Sequence, residues 1–377
     1  MIEKINSPLV IAYYLPQFHP TPNNDKWWGK GFTEWTNVAK ARRLFRNHYQ
    51  PHIPADLGFY DLRLPEVREQ QAEMARYSGI SAFCYYHYWF EDGKEELDRP
   101  FKEVLKLGRP DFPFCLCWAN ESWYSKMWSS DGAVVSKKLL VEQKYLGEED
   151  NKKHFNSLLP AFKDNRYFRY NGKIVFVIYR PLSFEGMSDL IKQWRAWADQ
   201  AGIGDFYFIG YSYDVCREYN KIIELGFDAV NSCGIINYKL TNCFFKKVCN
   251  RLNSDIRKLT KRPDIHQYKE VLKYFINKDF DLKENVLPSL IPNWDHTPRS
   301  GVNGYLFDNS TPELFSVHLN QVKEVLNRKS NKLCFLKSWN EWGEGNYVEP
   351  DMKFGWGYLD ALKAFTESKL SNSEIAL

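Results

Sequence analysis

Two glutamates in a short stretch near the C-terminus are the residues of this sequence best suited to chemistry. Residues 332–351 read KLCFLKSWNEWGEGNYVEPD, in which an apolar strand ends in a loop that carries Glu341 and Glu344 beside tryptophans. Two carboxylates can divide the acid and base work on a glycosidic bond, and an indole can stack on a sugar ring. The glycines of the loop let the backbone turn, so that these two carboxylates can converge. The stretch by itself leaves a second interpretation open, a solvated acidic loop that closes a barrel.

The composition is that of a large globular protein rich in aromatic side chains. Of the 377 residues, 44% are hydrophobic and 16% are aromatic, which is enough for a sizeable core and for aromatic-lined surfaces. The formal net charge of +4 is too small to indicate a nucleic-acid partner. Cys84, Cys115, Cys117 and Cys334 lie in apolar runs, where reduced core cysteines are expected, and no second pair follows at zinc-ligand spacing.

The sequence shows no segment that indicates export or membrane insertion. Residues 1–7 are polar and charged, and the apolar run that follows is short and leads into Pro16. No run of 18 apolar residues occurs. Together with the reduced cysteines, these features predict a cytoplasmic protein.

Eight apolar runs alternate with segments of helical periodicity. The predicted strands are Leu9–Leu15, Ile80–Tyr86, Phe114–Trp118, Ile174–Tyr179, Phe206–Ile209, Phe227–Val230, Val286–Ile291 and Leu333–Leu336. Such alternation indicates βαβ units and a parallel sheet, and eight units fit a closed barrel. An open, doubly wound sheet is the alternative, but no glycine-rich phosphate turn follows the first strand. We therefore predict an α/β protein, a single (β/α)8 TIM barrel over residues 1–377 with elaborated βα loops.

Polar and aromatic residues cluster after most of these strands, on the side where barrels of this kind carry their active sites. The candidate substrate contacts are Tyr14, His19, Trp28, Glu34, Trp35, His87, Trp118, Asn120, Glu121, Trp294, Asn340 and Trp342. Each has a plainer interpretation: the tryptophans could be rim packing, Glu34 a cap, and Asn340 the support of a turn. His19, His87 and His296 could bind a metal, but their neighbours are aromatic rather than acidic, so we predict no metal and no cofactor.

A basic segment interrupts the alternation after the sixth strand. Residues 239–262 hold eight basic residues and one acidic residue, and apolar residues recur in them at helical spacing. The plain interpretation is an amphipathic insertion, residues 232–264, that packs on the barrel. The alternative is a helix that lies on an anionic membrane surface and brings the site to a lipid-linked glycan at the inner face.

Four motifs give the chain a family resemblance. Residues 12–19, 27–38, 117–121 and 339–347 resemble the WbsX-type proteins of bacterial surface-polysaccharide loci, which are similar in turn to the endo-α-mannosidases of glycoside hydrolase family 99. The resemblance to WbsX-type proteins covers nearly the whole chain, whereas that to the hydrolases is concentrated at the eighth strand.

The resemblance implies a retaining barrel enzyme that uses no metal. It implies that Glu344 is the acid/base and that Glu341 faces the sugar 2-hydroxyl and takes its proton, so that O2 attacks C1 and a 1,2-anhydro sugar forms. Such chemistry needs an axial O2, as in mannose. The chain departs from the hydrolases at Gly343, where they typically carry a histidine.

We therefore predict a glycoside hydrolase-like enzyme acting on an oligosaccharide or lipid-linked glycan in surface-polysaccharide metabolism. A glycosyltransferase is the second hypothesis, but the one Asp-x-Asp pattern, residues 279–281, precedes the seventh strand at the opposite end of the barrel. A non-catalytic glycan-binding barrel is the third, and it would need the tryptophans but not both glutamates.

Overall fold

A closed barrel of parallel strands confirms the predicted (β/α)8 fold. The computed structural model describes residues 7–128, 134–239 and 260–370. The barrel strands are β1 Leu9–Tyr14, β2 Ala82–Glu91, β3 Phe114–Trp118, β4 Lys173–Ile178, β5 Phe206–Ser212, β6 Ala229–Ser232, β7 Val286–Leu290 and β8 Leu333–Leu336. Neighbours in this order pair in parallel, and β8 pairs with β1 to close the ring. All carboxyl ends therefore meet at one face.

Helices cover the outside of the barrel and occupy several of its loops. Among the described residues they are α1 Pro22–Trp28, α2 Glu34–Lys40, α3 Pro65–Tyr77, α4 Arg99–Leu107, α5 Glu148–Phe162, α6 Met187–Gln200, α7 Val215–Glu224, α8 Tyr268–Phe275, α9 Lys278–Asp281, α10 Thr297–Ser300, α11 Pro312–Asn327 and α12 Gly357–Thr366. The outer layer is largely aromatic: Trp194 of α6 lies 4.9 Å from Phe176 of β4 and 5.7 Å from Phe155 of α5, centroid to centroid. Burial of these rings fastens the helices to the strands.

Short strands and 3₁₀ turns elaborate the loops. The strand pairs are Lys94–Glu96 with β2, Trp123–Trp128 with Val134–Val141, Arg169–Tyr170 with β4, Asp264–Gln267 with Tyr305–Asp308, and Asn340–Glu341 with Asn346–Tyr347. The 3₁₀ turns are Gly234–Lys239, Gly301–Asn303 and Trp342–Glu344.

Side chains alternate between the barrel interior and the helical layer along each strand. Tyr13 points inward, where its ring lies 5.5 Å from that of Tyr86 and 5.2 Å from that of Phe335. Its hydroxyl donates to Asn231 Oδ1 at 2.9 Å. Tyr14, the next residue, points outward and donates to Gln71 Oε1 of α3 at 2.6 Å. This period of two decides which strand-end residues can reach the site.

Two loops differ from the sequence prediction. The sequence after the first strand, rich in tryptophan and glycine, predicts a long loop, but this connection contains α1 and α2, whose first turns are capped by the hydroxyls of Thr21 and Thr33. The sequence after the basic segment predicts a helix over about Asp264–Phe275, but that helix, α8, begins only at Tyr268, because residues 264–267 pair as a strand with Tyr305–Asp308. That pairing joins residues some 40 positions apart in the chain, so local periodicity does not reveal it.

The predicted basic insertion lies mostly outside the described residues. Of residues 232–264, the structure describes 232–239 and 260–264. The prediction of an amphipathic helix over 239–262, and of its contact with a membrane, therefore stays a prediction. In the described part of the chain, no helix combines the length and the apolar character needed to cross a membrane.

Candidate active site

A wide pocket opens at the carboxyl ends of the barrel strands. Its cavity volume is about 960 Å³. It brings together seven of the residues predicted from the sequence: Trp28, Glu34, Asn120, Glu121, Trp294, Glu341 and Glu344. The two glutamates therefore lie on a cavity wide enough for a ligand of several rings, at the face of the barrel where the sequence predicted them.

The loop after β8 turns so that both glutamates face this pocket. Ser338 Oγ accepts from the backbone N–H of Glu341 at 3.1 Å and donates to the carbonyl of Asn346 at 2.9 Å. Gly345 has φ +53°, and a Cβ there would lie 2.7 Å from Asp295 Cβ. The Asp295 N–H donates to the carbonyl of Glu344 at 2.7 Å. This close approach between two loops requires glycine at 345.

A buried carboxylate, that of Glu349, fixes the tryptophans of the loop. Its Oε1 accepts from Trp339 Nε1 at 2.8 Å and from Gln71 Nε2 at 2.6 Å. Its Oε2 accepts from Trp342 Nε1 at 2.7 Å and from Tyr60 Oη at 2.9 Å. Burial raises the pKa of Glu349 to about 7, and these four donors oppose that rise. Glu349 is thus a structural acceptor that ties the loop to the layer outside the barrel.

Asn340 ties the same loop to the end of β1. Its Oδ1 accepts from the Leu15 N–H at 2.7 Å, and its Nδ2 donates to the Leu15 carbonyl at 3.1 Å and to Tyr60 Oη at 3.2 Å. The side chain is fully buried. Asn340 therefore holds its neighbour Glu341 in place from behind the pocket wall.

The two glutamates are in contact with each other and with separate cations. They share a side-chain hydrogen bond. Lys337 Nζ lies 3.7 Å from Glu341 Oε1, and Arg299 Nη1 donates to Glu344 Oε1. Arg299 Nε also donates to Glu34 Oε2 at 3.0 Å. The floor of the pocket is therefore a chain of charged groups in which the two glutamates are adjacent, with Lys337 beside Glu341 and Arg299 between Glu344 and Glu34.

The burial and the neighbouring charges give Glu341 and Glu344 different pKa values. Burial, and then the neighbouring Glu344, raise the pKa of Glu341 to about 7, against the opposing effect of Lys337. Burial would also raise the pKa of Glu344, but Arg299, the hydrogen bond from Glu341 and Lys337 outweigh it and lower that pKa. The pKa of Glu341 therefore lies above that of Glu344, so a proton held by the pair below about pH 7 is favoured on Glu341.

Three predicted contacts point away from the pocket. Tyr14, His87 and Trp118 occupy the outward-facing positions of their strands. His87 Nε2 lies 2.8 Å from His154 Nε2 of α5, and burial lowers the pKa of His87 to about 3. Trp118 Nε1 donates to the Trp89 carbonyl at 2.9 Å. These side chains fasten helices to the barrel instead of lining the cavity.

Three more predicted contacts lie behind the pocket wall. Trp342 stacks on Tyr347 with 3.7 Å between ring centroids, and Trp35 packs at 5.4 Å against Trp342. Trp35 Nε1 donates to the Tyr60 carbonyl at 2.7 Å. His19 is buried, and burial lowers its pKa. Trp28 and Trp294, in contrast, do line the pocket, and Trp28 is 44% exposed.

Sequence reasoning missed several residues that line the pocket. These are Tyr86, Tyr88, Tyr179, Tyr213, Arg180, Arg299 and Lys337. Lys337 carried a usable signal, since it is a cation that directly follows the apolar strand β8 at an inward-facing position. The tyrosines could have been found by counting strand parity back from the apolar core. Arg299 carried no signal, because it reaches the site from α10 in the loop after β7.

A second ion pair lies at the rim of the pocket. Arg180 Nε donates to Glu121 Oε2 at 2.9 Å, and both side chains are exposed by more than 40%. Asn120 accepts from the Arg180 N–H through Oδ1 at 2.8 Å. In the ranges that the structure describes, no three His, Cys, Asp or Glu side chains are grouped as metal ligands would be. The predicted lack of a metal stays a prediction.

The chain matches one protein-family model and two curated proteins. The family model described as glycosyltransferase WbsX matches residues 10–362. The chain belongs to the WbsX family. Two curated relatives, both described as uncharacterized protein WxcX and both from strains of Xanthomonas campestris pv. campestris, are 34% identical over 364 residues. The match covers 94% of this chain and 49% of each relative, so this WbsX chain spans about half the length of those relatives.

Solved structures with the same fold include glycoside hydrolases. One, described as a glycoside hydrolase-like protein, has a TM-score of 0.58 and 15% identity over 98% of this chain and 96% of its own. Another is the GH99 endo-α-mannosidase from Bacteroides thetaiotaomicron, with a TM-score of 0.53 and 15% identity over 95% and 96%. At such identities the likeness concerns the fold, and it confirms the barrel expected for a WbsX protein.

We expect Trp342→Phe to lower the free energy of unfolding by about 2 kcal/mol or more. The change removes a donor to the buried Glu349 and leaves a void beside Tyr347. Urea denaturation measures it. The matched control is Trp28→Phe, the same change at an exposed indole, which should shift the unfolding free energy by less than about 0.5 kcal/mol. Equal effects of the two changes would contradict the role assigned to Glu349.

We also expect Glu341→Gln to stabilise the protein at pH 8 and to leave its stability almost unchanged at pH 5. A raised pKa means that the stability from Glu341 is fully present below its unfolded value of about 4.5. That stability is lost as the pH rises through about 7. Glutamine stays neutral, so the gain at pH 8 should be on the order of 2–3 kcal/mol. Urea denaturation at both pH values, with the exposed Glu73→Gln as control, measures it; equal differences at both pH values would refute the assignment.

Proposed function

We propose that this WbsX chain is a retaining, metal-independent glycoside hydrolase-like enzyme that acts on mannose-type or related glycans of surface polysaccharides. The observation that carries the proposal is the hydrogen-bonded pair of carboxyl groups at the floor of an open pocket: Glu341 is buried, the Glu344 side chain is 15% exposed, and Glu341 has the higher pKa. Cleavage of a glycosidic bond needs a proton donor and a carboxylate side by side. A solvated acidic loop, the plainer interpretation of this stretch, would leave both groups exposed, whereas Glu341 is buried and the Glu344 side chain is 15% exposed.

The closeness of the pair favours chemistry through a substrate hydroxyl. Retaining enzymes with a direct carboxylate nucleophile separate their carboxyl groups by about 5–5.5 Å, and inverting enzymes by more. Here the two groups are hydrogen-bonded. In the proposed first step one glutamate gives its proton to the departing oxygen as C1–O1 breaks. The other takes the 2-hydroxyl proton, so that O2 closes onto C1.

In the proposed second step water opens the 1,2-anhydro sugar. The glutamate that gave its proton now takes one from the attacking water, and O2 recovers its proton from the other glutamate. Both groups return to their starting states, and two inversions at C1 retain the configuration. An axial O2 on the opposite face from O1 suits this closure, which is why mannose-type sugars are the proposed substrates.

The resemblance to family 99 assigns the donor role to Glu344 and the base role to Glu341. The site without substrate holds its proton on Glu341 and leaves Glu344 ionised. Under that assignment the proton must pass across the hydrogen bond between them before the bond to the departing oxygen breaks. The geometry of the pair permits such a transfer.

Pocket walls of tyrosine and tryptophan support a glycan ligand. Trp28 presents an exposed ring, and Trp294 lines the cavity although it is largely buried. An indole can stack on a sugar ring through its face. A lipid-linked oligosaccharide as the physiological ligand, delivered through contact of residues 239–262 with a membrane, belongs to the same proposal.

A glycosyltransferase is the second candidate, and the description of the family model favours it. Such an enzyme would bind a nucleotide-activated sugar, and the two cations on the pocket floor, Lys337 and Arg299, could contact its phosphates. Both cations are already paired with carboxylates, which weighs against that use. A non-catalytic glycan-binding barrel is the third candidate; it would bind glycan equally well without either glutamate.

The test compares the wild type with Glu344→Gln and Glu341→Gln on α-mannosides and lipid-linked oligosaccharides, without added metal or nucleotide. We expect product release by the wild type and a fall of at least ~100-fold in kcat for each variant, because each loses half of the acid and base chemistry. The control is Glu73→Gln on the outer face of α3, which should keep full turnover. Chromatography of released sugars gives the rate.

The contrary outcomes separate the candidates. Tight glycan binding with no product from the wild type, undisturbed in both variants, would contradict catalysis and favour the binding barrel. Product that appears only with a nucleotide sugar would favour the transferase. Undiminished hydrolysis by both variants would place the site elsewhere.

A further inference from the structure

Arg299 is held beside the glutamate pair by contacts on two sides. Its Nη1 donates to Glu344 Oε1 and its Nε donates to Glu34 Oε2 at 3.0 Å. The Arg299 side chain is 24% exposed and that of Glu34 is 4% exposed, so water screens this bridge poorly. The guanidinium therefore links a carboxylate of the loop after β8 to one at the start of α2.

The position of Arg299 is fixed by its own loop. Asp295 Oδ1 accepts from the Thr297 N–H at 2.9 Å, where the short helix α10 begins. Asp295 Oδ2 accepts from Gln50 Nε2 at 2.7 Å and lies 2.8 Å from His48 Nε2. Burial would raise the pKa of Asp295, but its bond with His48 and the nearby His52 outweigh burial and lower it. The hydrogen-bonded carboxylate of Asp295 thus fixes the start of α10, the short helix that carries Arg299.

Gly343 leaves the space that this bridge occupies. A Cβ at position 343 would overlap the carboxylate of Glu34 and would lie 3.1 Å from Arg299 Nε. The loop between Glu341 and Glu344 can therefore lie flat against the bridge only when residue 343 has no side chain. This gives a physical reason for glycine at position 343, where the loop departs from the hydrolases it resembles.

The charged and titratable groups around Glu341 differ from those around Glu344. Glu344 faces Arg299, Lys337, Glu34, Glu341, His296, Tyr213 and Tyr305. Glu341 faces Glu344, Lys337, Arg299, Tyr86 and Tyr88. Of the two cations, Arg299 donates directly to Glu344, whereas Lys337 stands 3.7 Å from Glu341. A charge-assisted hydrogen bond stabilises the ionised acceptor more than a nearby charge does.

We propose that Arg299, seated between Glu34 and Glu344 in the space left by Gly343, is a positioning residue that keeps Glu344 ionised and so places the proton of the pair on Glu341. Its importance for catalysis rests on the proposed function. In the resting enzyme Glu341 is then the proton carrier and Glu344 the carboxylate, the reverse of the roles that the family resemblance implies. Loss of Arg299 transfers the proton toward Glu344.

The test reads the proton directly and needs no substrate. The 377-residue chain is labelled with [5-¹³C]glutamate, and the carboxyl signals are followed by NMR from pH 4 to pH 9. The signals of Glu341 and Glu344 are assigned by their loss in Glu341→Gln and Glu344→Gln. In the wild type we expect the Glu341 signal to titrate near pH 7 while the Glu344 signal stays at its ionised position through that step.

Arg299→Gln should move the upper titration step to the Glu344 signal and raise its midpoint by about one pH unit or more. Arg299→Lys, which keeps the charge, should restore part of the wild-type pattern. Arg180→Gln, which removes the rim cation without touching the pair, should change neither signal. A Glu344 signal that stays ionised through the upper step in Arg299→Gln would overturn the proposal.

A second variant keeps the proposal falsifiable if Arg299→Gln fails to fold. Gly343→Ala should displace Glu34 and Arg299 from Glu344 and shift the two titrations in the same direction as Arg299→Gln. Wild-type titrations in Gly343→Ala would overturn the role of the glycine. Because these measurements use no glycan, they stand or fall separately from the turnover assays that test the proposed function.

Discussion

The buried carboxylate of Glu349 is the constraint on which the arrangement of the site depends. It receives four hydrogen bonds, two of them from the indoles of Trp339 and Trp342. A carboxyl group taken out of water is tolerated only when its oxygens are hydrogen-bonded, so all four donors are held in one geometry. The loop that leaves β8 is thereby fastened on the side away from the pocket. Its other side is free to present Glu341 and Glu344.

The cations beside Glu341 and Glu344 differ in position, and this difference gives the two carboxyl groups different pKa values. Two carboxylates in contact share one proton near neutral pH, and the cation that touches one of them decides where it rests. Arg299 donates a hydrogen bond to Glu344, whereas Lys337 Nζ lies 3.7 Å from Glu341 Oε1. The pKa values of the two glutamates therefore differ. Under the roles that the family resemblance implies, the proton still passes from Glu341 to Glu344 before the bond to the departing oxygen breaks.

The sequence predicted the barrel and the position of the glutamate pair, and it predicted the rest of the site less well. Apolar strand runs and the polar clusters that follow them are local signals, so β8 and its loop were recognised. Which strand-end side chain faces the cavity depends on parity relative to the core. For that reason His87 and Trp118 lie among the helices, whereas Tyr86 and Tyr179 line the pocket. An error of one residue in the register of a strand assigns every side chain of that strand to the wrong face of the sheet.

The sequence by itself determined the parallel barrel, its catalytic-type face and two glutamates on one glycine-bearing loop, because periodicity and spacing are properties of neighbouring residues. Only the tertiary structure decided what surrounds those glutamates. Arg299 and Glu34 come from loops about 265 residues apart and meet through the closure of the ring between β8 and β1. Proton affinity follows from burial and from charges within a few ångströms, and such distances are fixed by folding rather than by order along the chain.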